Sequence, residues 1–292
     1  MKPPPLGYTR PESVAAALAA LAADAGARVL AGGQSLVPLM SMRLAAPDVL
    51  VDINRLTELS YVEVAGGQVR VGALARHSEV LASPVAAAAQ PLLRQALRFV
   101  AHPAIRNRGT TVGSIVHADP AGEMPAVLAL LAGNVLVASA AGHRSIPAGE
   151  FFLGPLESAV QPGELATEVQ FPVLPGPAAG TGFAEISRRR GDYAVCGVAV
   201  LAWLAADGRI GGAKAAYLSV GPSPVVLDLT EAVAGGAADA GSFPAAAGLA
   251  RARLEPWPDI HATAGYRRQL AGVLTGRALG EALSQARETV DA

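Results

Sequence analysis

Hydrophobic residues in the first sixty positions follow a helical pattern and then a strand pattern. Alanine and leucine dominate positions 14–23, and Thr9 and Glu12 ahead of them have capping-box spacing, so we predict a helix that ends near Gly26. The apolar runs at 28–31 and 49–53 predict buried strands. Helix and strand therefore alternate early in the chain.

The middle of the chain continues this alternation. Two short runs of alternating polarity around a pair of glycines predict a hairpin at 61–71. Apolar residues then recur at helical spacing over 84–100 and again over 123–131. A strand is predicted at 167–171.

A segment rich in proline and glycine at 172–182 predicts a domain boundary near residue 176. Beyond it, two apolar runs at 194–205 and 210–220 flank Asp207 and Gly208, which is a strong hairpin signal. Helical patterns at 230–234 and from 263 to the C-terminus complete a smaller α+β unit.

These breaks predict the domain organisation. We expect a first domain at 1–175, with subdomains at about 1–58 and 59–175, followed by a C-terminal domain at 176–292.

Two loops rich in glycine and hydroxyl side chains stand out from this pattern. They lie at 31–36 and 106–123, and no lysine motif of a phosphate-binding loop accompanies either. Glycine lets the backbone approach a ligand closely, unpaired N–H groups bind anions, and Ser and Thr hydroxyls add donors. Together the loops suit the pyrophosphate of a dinucleotide, and FAD is the candidate.

Composition excludes several other classes of function. The 23 basic residues nearly cancel the 24 acidic residues, so no overall field attracts nucleic acid. Cys196 is the only cysteine, so the chain can build neither a disulfide nor a cysteine-ligated iron–sulfur cluster of its own. The five histidines lack metal-ligand spacing, and we predict no metal site.

Targeting signals are also missing from the sequence pattern. The N-terminus lacks the apolar core of a secretory signal, so a cytoplasmic protein is expected. Residues 124–142 carry no charge over 19 positions, but Gly133 and Asn134 divide them into a short helix and a short strand. We interpret this segment as buried core and expect no membrane span.

Several motifs in order resemble the FAD-binding medium subunit of the molybdenum hydroxylases, the family of aerobic carbon monoxide dehydrogenase and xanthine dehydrogenase. The resemblance runs along essentially the whole chain and is carried by seven segments: Lys2-Pro3 with Tyr8-x-Arg10-Pro11, Ala31-Gly-Gly-Gln-Ser-Leu36, Leu50-Val-Asp-Ile53, Arg106-Asn-Arg-Gly109, His117-Ala-Asp-Pro120, Arg189-Arg-Gly-Asp-Tyr-Ala194 and Tyr266-Arg-Arg-Gln-Leu270. The resemblance implies a two-subdomain FAD-binding domain of the vanillyl-alcohol-oxidase (PCMH) type and a smaller α+β C-terminal domain of the carbon monoxide dehydrogenase flavoprotein type.

The resemblance also implies a set of site residues for non-covalently bound FAD. The implied cofactor-binding residues are Ala31, Gly32, Gly33, Gln34, Ser35, Leu36, Thr110, Thr111, Gly113, Ser114, His117, Asp119, Glu123 and Ala166. The family usually has the shorter Asp at the position of Glu123, where an acceptor meets ribose or ribityl hydroxyls. Tyr193 matches a tyrosine that the family places beside the flavin ring, and it is the implied catalytic residue.

Simpler interpretations stay open for some of these residues. Thr110 and Ser114 could be ordinary turn hydroxyls, Asp119 before a proline could initiate a turn, and Tyr193 could be a core tyrosine. The run Arg188-Arg-Arg190 is typical of a solvated face. Cys196, within an apolar run, is expected to be a buried small hydrophobe.

Two positions depart from the family pattern. The family has Thr-x-Gly-Gly where Val112 replaces the first glycine, and a β-branched residue cannot cheaply adopt a positive φ. We therefore expect a shifted loop or an altered FAD affinity. Ala166 stands where the family usually has a larger aliphatic residue, so looser packing at the cofactor is expected.

The resemblance implies an electron-transfer subunit of an oxidoreductase. Electrons would pass from a molybdenum cofactor on a large subunit, through 2Fe-2S clusters on a small subunit, to FAD here and on to an external acceptor such as a quinone, NAD or oxygen. The implied assembly is a heterotrimer or its dimer. The alternatives are a stand-alone flavin oxidase or dehydrogenase acting on a small organic substrate, and a non-catalytic assembly subunit that has lost FAD.

Overall fold

A computed structural model describes residues 2–176, 178–239, 241 and 243–291. Its first part is a small parallel sheet flanked by helices. The elements are β1 (Gly7–Thr9), α1 (Val14–Ala23), β2 (Arg28–Leu30), α2 (Leu36–Ser41) and β3 (Val49–Asp52). The strand order is β1-β3-β2, and both pairings are parallel. The ends of β2 and β3 therefore meet at the same edge, which is where the first glycine loop begins.

The start of α1 differs from the predicted capping box. Thr9 ends β1, and the cap is Ser13, whose hydroxyl accepts a hydrogen bond from the N–H of Ala16 at 3.1 Å. A serine hydroxyl can pair with an N–H of the first helical turn as well as a threonine hydroxyl can. The helix therefore begins after Ser13 and not after Thr9.

The second part of the chain forms an antiparallel sheet surrounded by short helices. After a 3₁₀ turn at Thr57–Leu59, its elements are β4 (Val62–Ala65), β5 (Gln68–Gly72), α3 (His77–Ala82), α4 (Pro84–Ala89), α5 (Pro91–Leu97), α6 (Pro103–Arg106), α7 (Thr111–His117), α8 (Glu123–Leu130), β6 (Asn134–Ser139), β7 (Gly142–Pro147), α9 (Ala148–Phe151), β8 (Phe152–Gly154), β9 (Glu157–Ser158) and β10 (Leu165–Pro172). The strand order is β4-β5-β10-β6-β7, and β8 pairs with β9.

The helical stretch predicted over about 84–100 is confirmed over most of its length, but it is divided into two helices at Gln90. Pro91 lacks the N–H of a continuing helix and disfavours helical dihedrals in the residue before it. Gln90 accordingly has φ −147° and ψ 86°, and α4 and α5 form separately on either side of it. The uncharged segment at 124–142 is buried as α8 and β6, as predicted.

The last part of the chain is an antiparallel sheet backed by a long helix. Its elements are β11 (Ala179–Ser187), β12 (Ala194–Leu204), β13 (Ile210–Leu218), β14 (Val225–Asp228), α10 (Thr230–Val233), α11 (Pro244–Arg253) and α12 (Ala264–Asp291). The strand order is β11-β12-β13-β14. The predicted hairpin at Asp207 and Gly208 joins β12 to β13.

This last sheet is buried on both faces. Ala199 and Leu218 pack into the core that also contains Val127 and Leu128 of α8, whereas Val200 and Tyr217 pack into a second core with α12. Burial on both faces explains why β12 is an uninterrupted apolar run instead of an alternating one. The α+β class predicted from the sequence is confirmed.

Candidate functional site

A cavity of about 500 Å³ opens in the first two parts of the chain. Its walls come from the first glycine loop at 31–36, the second at 109–117, and a third segment at 156–166. A volume of this size lies within the range of cavities that bury small ligands and cofactors. The two loops that the sequence pairs in one site are therefore brought together.

The first glycine loop leaves the carboxyl end of β2 and enters α2. Within the described part of the chain, the backbone N–H groups of residues 32–35 donate no hydrogen bond, and the hydroxyl of Ser35 does not cap α2. Gly33 has φ +71°, in the left-handed region that favours glycine. Residues 32–35 all line the cavity, so the loop brings four N–H groups without a partner among the described residues to its wall.

The two glycine loops touch through their backbones. A Cβ atom on Gly32 would lie 2.7 Å from the Cα of Gly109 and would also meet the carbonyl oxygen of Arg108. Backbone atoms cannot move aside as a flexible side chain can, so only glycine permits this approach.

The second glycine loop uses most of its polar groups within the protein. The hydroxyl of Thr110 caps α7 by accepting from the N–H of Gly113 at 3.1 Å, which confirms that it serves as a local turn hydroxyl. The hydroxyl of Thr111 is fully buried and lies 3.1 Å from Nδ1 of His77. Thr111 therefore does not line the cavity, although Thr110, Gly113 and Ser114 do.

Val112 does not require the backbone conformation that the sequence argument assumed. It lies in the first turn of α7, is absent from the residues with positive φ, and is only 2% exposed. The positive φ assumed for this position is wrong, because a helical backbone accepts valine and the side chain packs as part of the cavity wall. The altered FAD affinity stays a prediction.

The electrostatics of this cavity suit a ligand with a negative centre. Arg28 lies at its edge, where one guanidinium nitrogen donates to the carbonyl of Ala27 at 2.9 Å. Burial lowers the pKa of His117, so its imidazole is neutral at neutral pH. On the third wall, Glu164 is held by Arg144 at 2.7 Å, which neutralises that carboxylate.

Four predicted residues lie outside this cavity: Thr111, Asp119, Glu123 and Tyr193. Asp119 and Tyr193 line a second cavity of about 510 Å³, which also includes Arg188 and Trp257. The two cavities adjoin at residues 155–156, because Leu156 lines the first and Pro155 the second, and the N–H of Leu156 donates to the carbonyl of Ala118 beside Asp119.

The conformations of these residues decide some open interpretations. Asp119 accepts from the N–H of Ala121 at 2.8 Å, which confirms a turn-initiating role. Tyr193 is 70% exposed, so its interpretation as a core tyrosine is wrong. The arginine run at 188–190 is exposed, as expected of a solvated face, and Cys196 is fully buried, as predicted.

Glu123 lies buried at the start of α8 and lines neither cavity. Burial is the main cause that raises the pKa of its carboxyl to about 7. Glu185 on β11 interacts with Glu123. Burial is the main cause that raises the pKa of Glu185 to about 9, and the charge of Glu123 is the second cause. Both carboxyls are therefore substantially protonated near neutral pH.

Sequence reasoning missed the third wall of the first cavity, apart from Ala166. Ser158, Gln161 and Gly163 belong to it, and Gly163 has φ +82°. The Pro162-Gly163 pair signalled a turn, but no local pattern indicates that this turn folds back over two loops more than forty residues away.

The combination of features in the first cavity can bind a pyrophosphate. Donors and positive charge come from the four consecutive N–H groups that no described residue accepts from, from the hydroxyls of Ser35 and Ser114, and from Arg28 at the edge. Among the described residues, no cluster of three metal-ligating side chains is found, and no helix is long and apolar enough to cross a membrane.

Comparison with known proteins identifies the family. The family described as the FAD binding domain in molybdopterin dehydrogenase matches residues 4–174, and the carbon monoxide dehydrogenase flavoprotein C-terminal domain matches residues 181–282. The chain is 39% identical over 292 residues to the 6-hydroxypseudooxynicotine dehydrogenase complex subunit alpha of Paenarthrobacter nicotinovorans, covering 99% of this chain and 98% of that protein.

Solved structures agree with these matches. Quinoline 2-oxidoreductase from Pseudomonas putida 86 superimposes with a TM-score of 0.91 at 36% identity, covering 98% of this chain and 99% of that chain. Carbon monoxide dehydrogenase from Hydrogenophaga pseudoflava gives a TM-score of 0.89 at 33% identity with the same coverage. The resemblance drawn from the sequence is confirmed: this chain belongs to the FAD-binding medium subunits of the molybdopterin dehydrogenases, as the flavin subunit of a multi-subunit oxidoreductase.

Proposed function

We propose that FAD binds non-covalently in the first cavity, with its pyrophosphate against residues 32–35. The observation that carries this proposal is the row of four N–H groups that have no partner among the described residues, because an anion can accept from several such groups at once. Ser35 and Ser114 add hydroxyl donors from the two loops. Gly32 and Gly33 keep the backbone close enough to serve as the binding surface.

Other predicted residues are proposed to surround the rest of the cofactor. His117, at the end of the second loop, and Ala166, on the third wall, also line the cavity, and neutral His117 can donate or accept a hydrogen bond. Asp119, in the second cavity, offers carboxyl oxygens to sugar hydroxyls. Glu123 is buried and lines neither cavity, so we assign it no contact with the cofactor. Tyr193, exposed in the second cavity, can cover a flavin face and move aside.

When bound, FAD supplies two-electron redox chemistry that the chain's own side chains lack. The protein's contribution is to hold the cofactor, to exclude water from it with the third wall, and to present its ring toward the second cavity. Cys196, the single cysteine, is fully buried, and burial raises the pKa of its thiol to about 12. This thiol is therefore unsuited to ligating a cluster.

We propose that the chain works in a heterotrimer, or its dimer, with a large molybdenum-cofactor subunit and a small 2Fe-2S subunit. Electrons would then reach this chain from the clusters and leave to an external acceptor. Its relative from Paenarthrobacter nicotinovorans is named as a subunit of a dehydrogenase complex, which supports an assembly of this kind.

The experiment is to purify the tagged chain gently from its native cells and to measure flavin, iron and molybdenum per chain. Equimolar FAD with co-purifying iron and molybdenum supports the electron-transfer subunit and delivers its partners for identification. FAD without either metal would favour a stand-alone flavoenzyme. A protein without flavin that takes up none when FAD is added would contradict the proposal.

A further inference from the structure

A chain of side-chain hydrogen bonds connects the two glycine loops outside the lining of the first cavity. The amide nitrogen of Asn54 donates to the carbonyl of Ala31, at the start of the first loop, at 2.9 Å. Its amide oxygen accepts from Nη2 of Arg76 at 2.7 Å, and Nη1 of Arg76 donates to the carbonyl of Arg108 at 2.7 Å. Ala31 and Arg108 are thereby linked through two side chains.

This connection is anchored below by β3 and β1. Asp52 accepts from the backbone N–H of Asn54 at 3.0 Å and from its amide nitrogen at 2.7 Å. The phenol of Tyr8 donates to the other oxygen of Asp52 at 2.5 Å. Although burial acts to raise the pKa of Asp52, these hydrogen bonds lower it overall, so the anchor stays ionised.

The residue types match what this geometry requires. The amide nitrogen of Asn54 donates to Asp52, to Ala31 and, more distantly, to the carbonyl of Leu30, while its amide oxygen accepts from Arg76. A side-chain amide suits this position because it combines two N–H donors with an acceptor oxygen. Arg76 must reach two acceptors at once, which suits the rigid fork of a guanidinium and not the single ammonium of lysine.

The second loop is also fixed to the backbone around Arg76. The N–H of His77 donates to the carbonyl of Gly109 at 2.9 Å, and Arg76 forms a β-bridge with Thr110. One end of the link is therefore attached to the second loop by backbone and side chain together. The bond between Arg76 and Asn54 is what connects this assembly to the first loop.

We propose that Asn54 and Arg76 are positioning residues that set the separation of the two glycine loops and thereby the affinity for FAD. The proposal rests on the proposed binding of FAD between those loops. Neither residue lines the cavity. Their effect on the cofactor is exerted through Ala31, Arg108 and the backbone of the loops.

The test compares Arg76→Gln, Arg76→Lys and Asn54→Asp in the full-length chain, purified with the subunits that accompany it. After removal of flavin, the dissociation constant for added FAD is measured by flavin fluorescence, and the thermal midpoint is measured without FAD. Asn54→Asp preserves shape and the acceptor for Arg76 but removes the donors to Ala31 and Asp52. We expect each of Arg76→Gln and Asn54→Asp to raise the dissociation constant roughly tenfold, with Arg76→Lys between them and the wild type.

Arg94→Gln is the matched control. Arg94 is also partly buried, and it donates to the carbonyls of Leu81 at 3.1 Å and Ser83 at 3.4 Å, away from both loops. It should lower the thermal midpoint about as much as Arg76→Gln while leaving the FAD dissociation constant unchanged. The double variant of Asn54 and Arg76 should weaken FAD binding no more than the stronger single variant, because both act on one link.

Two results would overturn the positioning role. One is wild-type affinity in both Asn54→Asp and Arg76→Gln; the other is equal weakening by Arg94→Gln, which would mean that affinity merely follows stability. A wild-type chain that binds no FAD at all would instead overturn the proposed function, so the two failures are distinguishable.

Discussion

The two glycine loops have similar compositions but use their polar groups in opposite ways. In the first loop, the N–H groups of residues 32–35 are unpaired within the described part of the chain. In the second, Thr110 accepts from the N–H of Gly113 through its hydroxyl and from that of Ser114 through its carbonyl. The hydroxyl of Thr111 is held at His77.

This difference teaches that a glycine- and hydroxyl-rich loop is not by itself a binding surface. Donors that are satisfied internally stabilise the loop and contribute little to a ligand, whereas unpaired donors are available to one. We therefore assign cofactor recognition mainly to the first loop and support of the cavity mainly to the second. The predictions below test this division.

The largest effect is expected from Gly32→Ala, which acts where the loops touch. The added methyl group would press against the backbone of Arg108 and Gly109, and the loops would have to separate. We expect a loss of about 3 kcal/mol in the free energy of unfolding and a rise of at least about a hundredfold in the FAD dissociation constant. Urea denaturation and flavin titration measure the two effects.

A matched glycine elsewhere provides the control for this substitution. Gly276 lies in α12, and a Cβ atom there would meet nothing within 4 Å. Gly276→Ala should raise the free energy of unfolding by about 0.5 to 1 kcal/mol, because alanine is the better helix former. If Gly32→Ala retained flavin as Gly276→Ala does, the contact between the loops would be irrelevant to the site.

The sequence predicted elements well where a local signal was sufficient. The hairpin at Asp207 and Gly208 and the burial of Cys196 follow from turn chemistry and from an apolar run. The predicted cap at Thr9 is wrong because Ser13 offers an equally good hydroxyl. The helical stretch over 84–100 is divided in two because Pro91 cannot continue a helix from Gln90.

The site was predictable only in part, for a physical reason. Glycine and hydroxyl composition located both loops, but the state of each donor depends on tertiary partners. His77, which takes the hydroxyl of Thr111, is 34 residues away in sequence. The hydrogen-bonded link through Asn54 and Arg76 likewise cannot be predicted from the spacing of residues in the sequence, because its partners are brought together only by the tertiary fold.

The next largest effect concerns the position at which the sequence departs from its family. Val112→Gly restores the family residue, but the backbone is already helical and the side chain is buried. We expect it to lower the free energy of unfolding by about 2 to 3 kcal/mol, from lost burial and lower helix propensity. The FAD dissociation constant should change less than about threefold. A marked gain in affinity would show that valine obstructs the cofactor.

Lowering the pH should destabilise the protein through the contacts of the second loop with His77. The first loop has no titratable side chain at 31–36 and should not respond. Burial, with the charge of Arg106 second, lowers the pKa of His77 to about 4, against an unfolded value of about 6.5. The unfolded chain therefore binds more protons between these values, and stability falls as the pH drops through this window.

Comparison with His77→Gln isolates this contribution. Between pH 7 and pH 5, the free energy of unfolding of the wild type should fall relative to that of the variant by up to about 2 kcal/mol. Glu123 and Glu185, whose pKa values are raised, titrate in both proteins and cancel in the difference. An unchanged difference across this range would mean that the imidazole is not held neutral against Thr111.

The smallest effects give the sharpest test, because a substitution in the first loop should change mainly FAD affinity and one in the second loop mainly stability. Ser35→Ala removes a free hydroxyl and should raise the FAD dissociation constant about fivefold, from a lost hydrogen bond of about 1 kcal/mol, with little change in stability. Thr110→Ala removes the cap of α7 and should lower the free energy of unfolding by about 1 kcal/mol, with a smaller effect on FAD. Ser13→Ala, which removes the cap of α1 away from the cavity, is the control and should change stability alone. Equal weakening of FAD binding by Ser35→Ala and Thr110→Ala, at unchanged stability, would mean that both loops recognise the cofactor, and the division between them would fail.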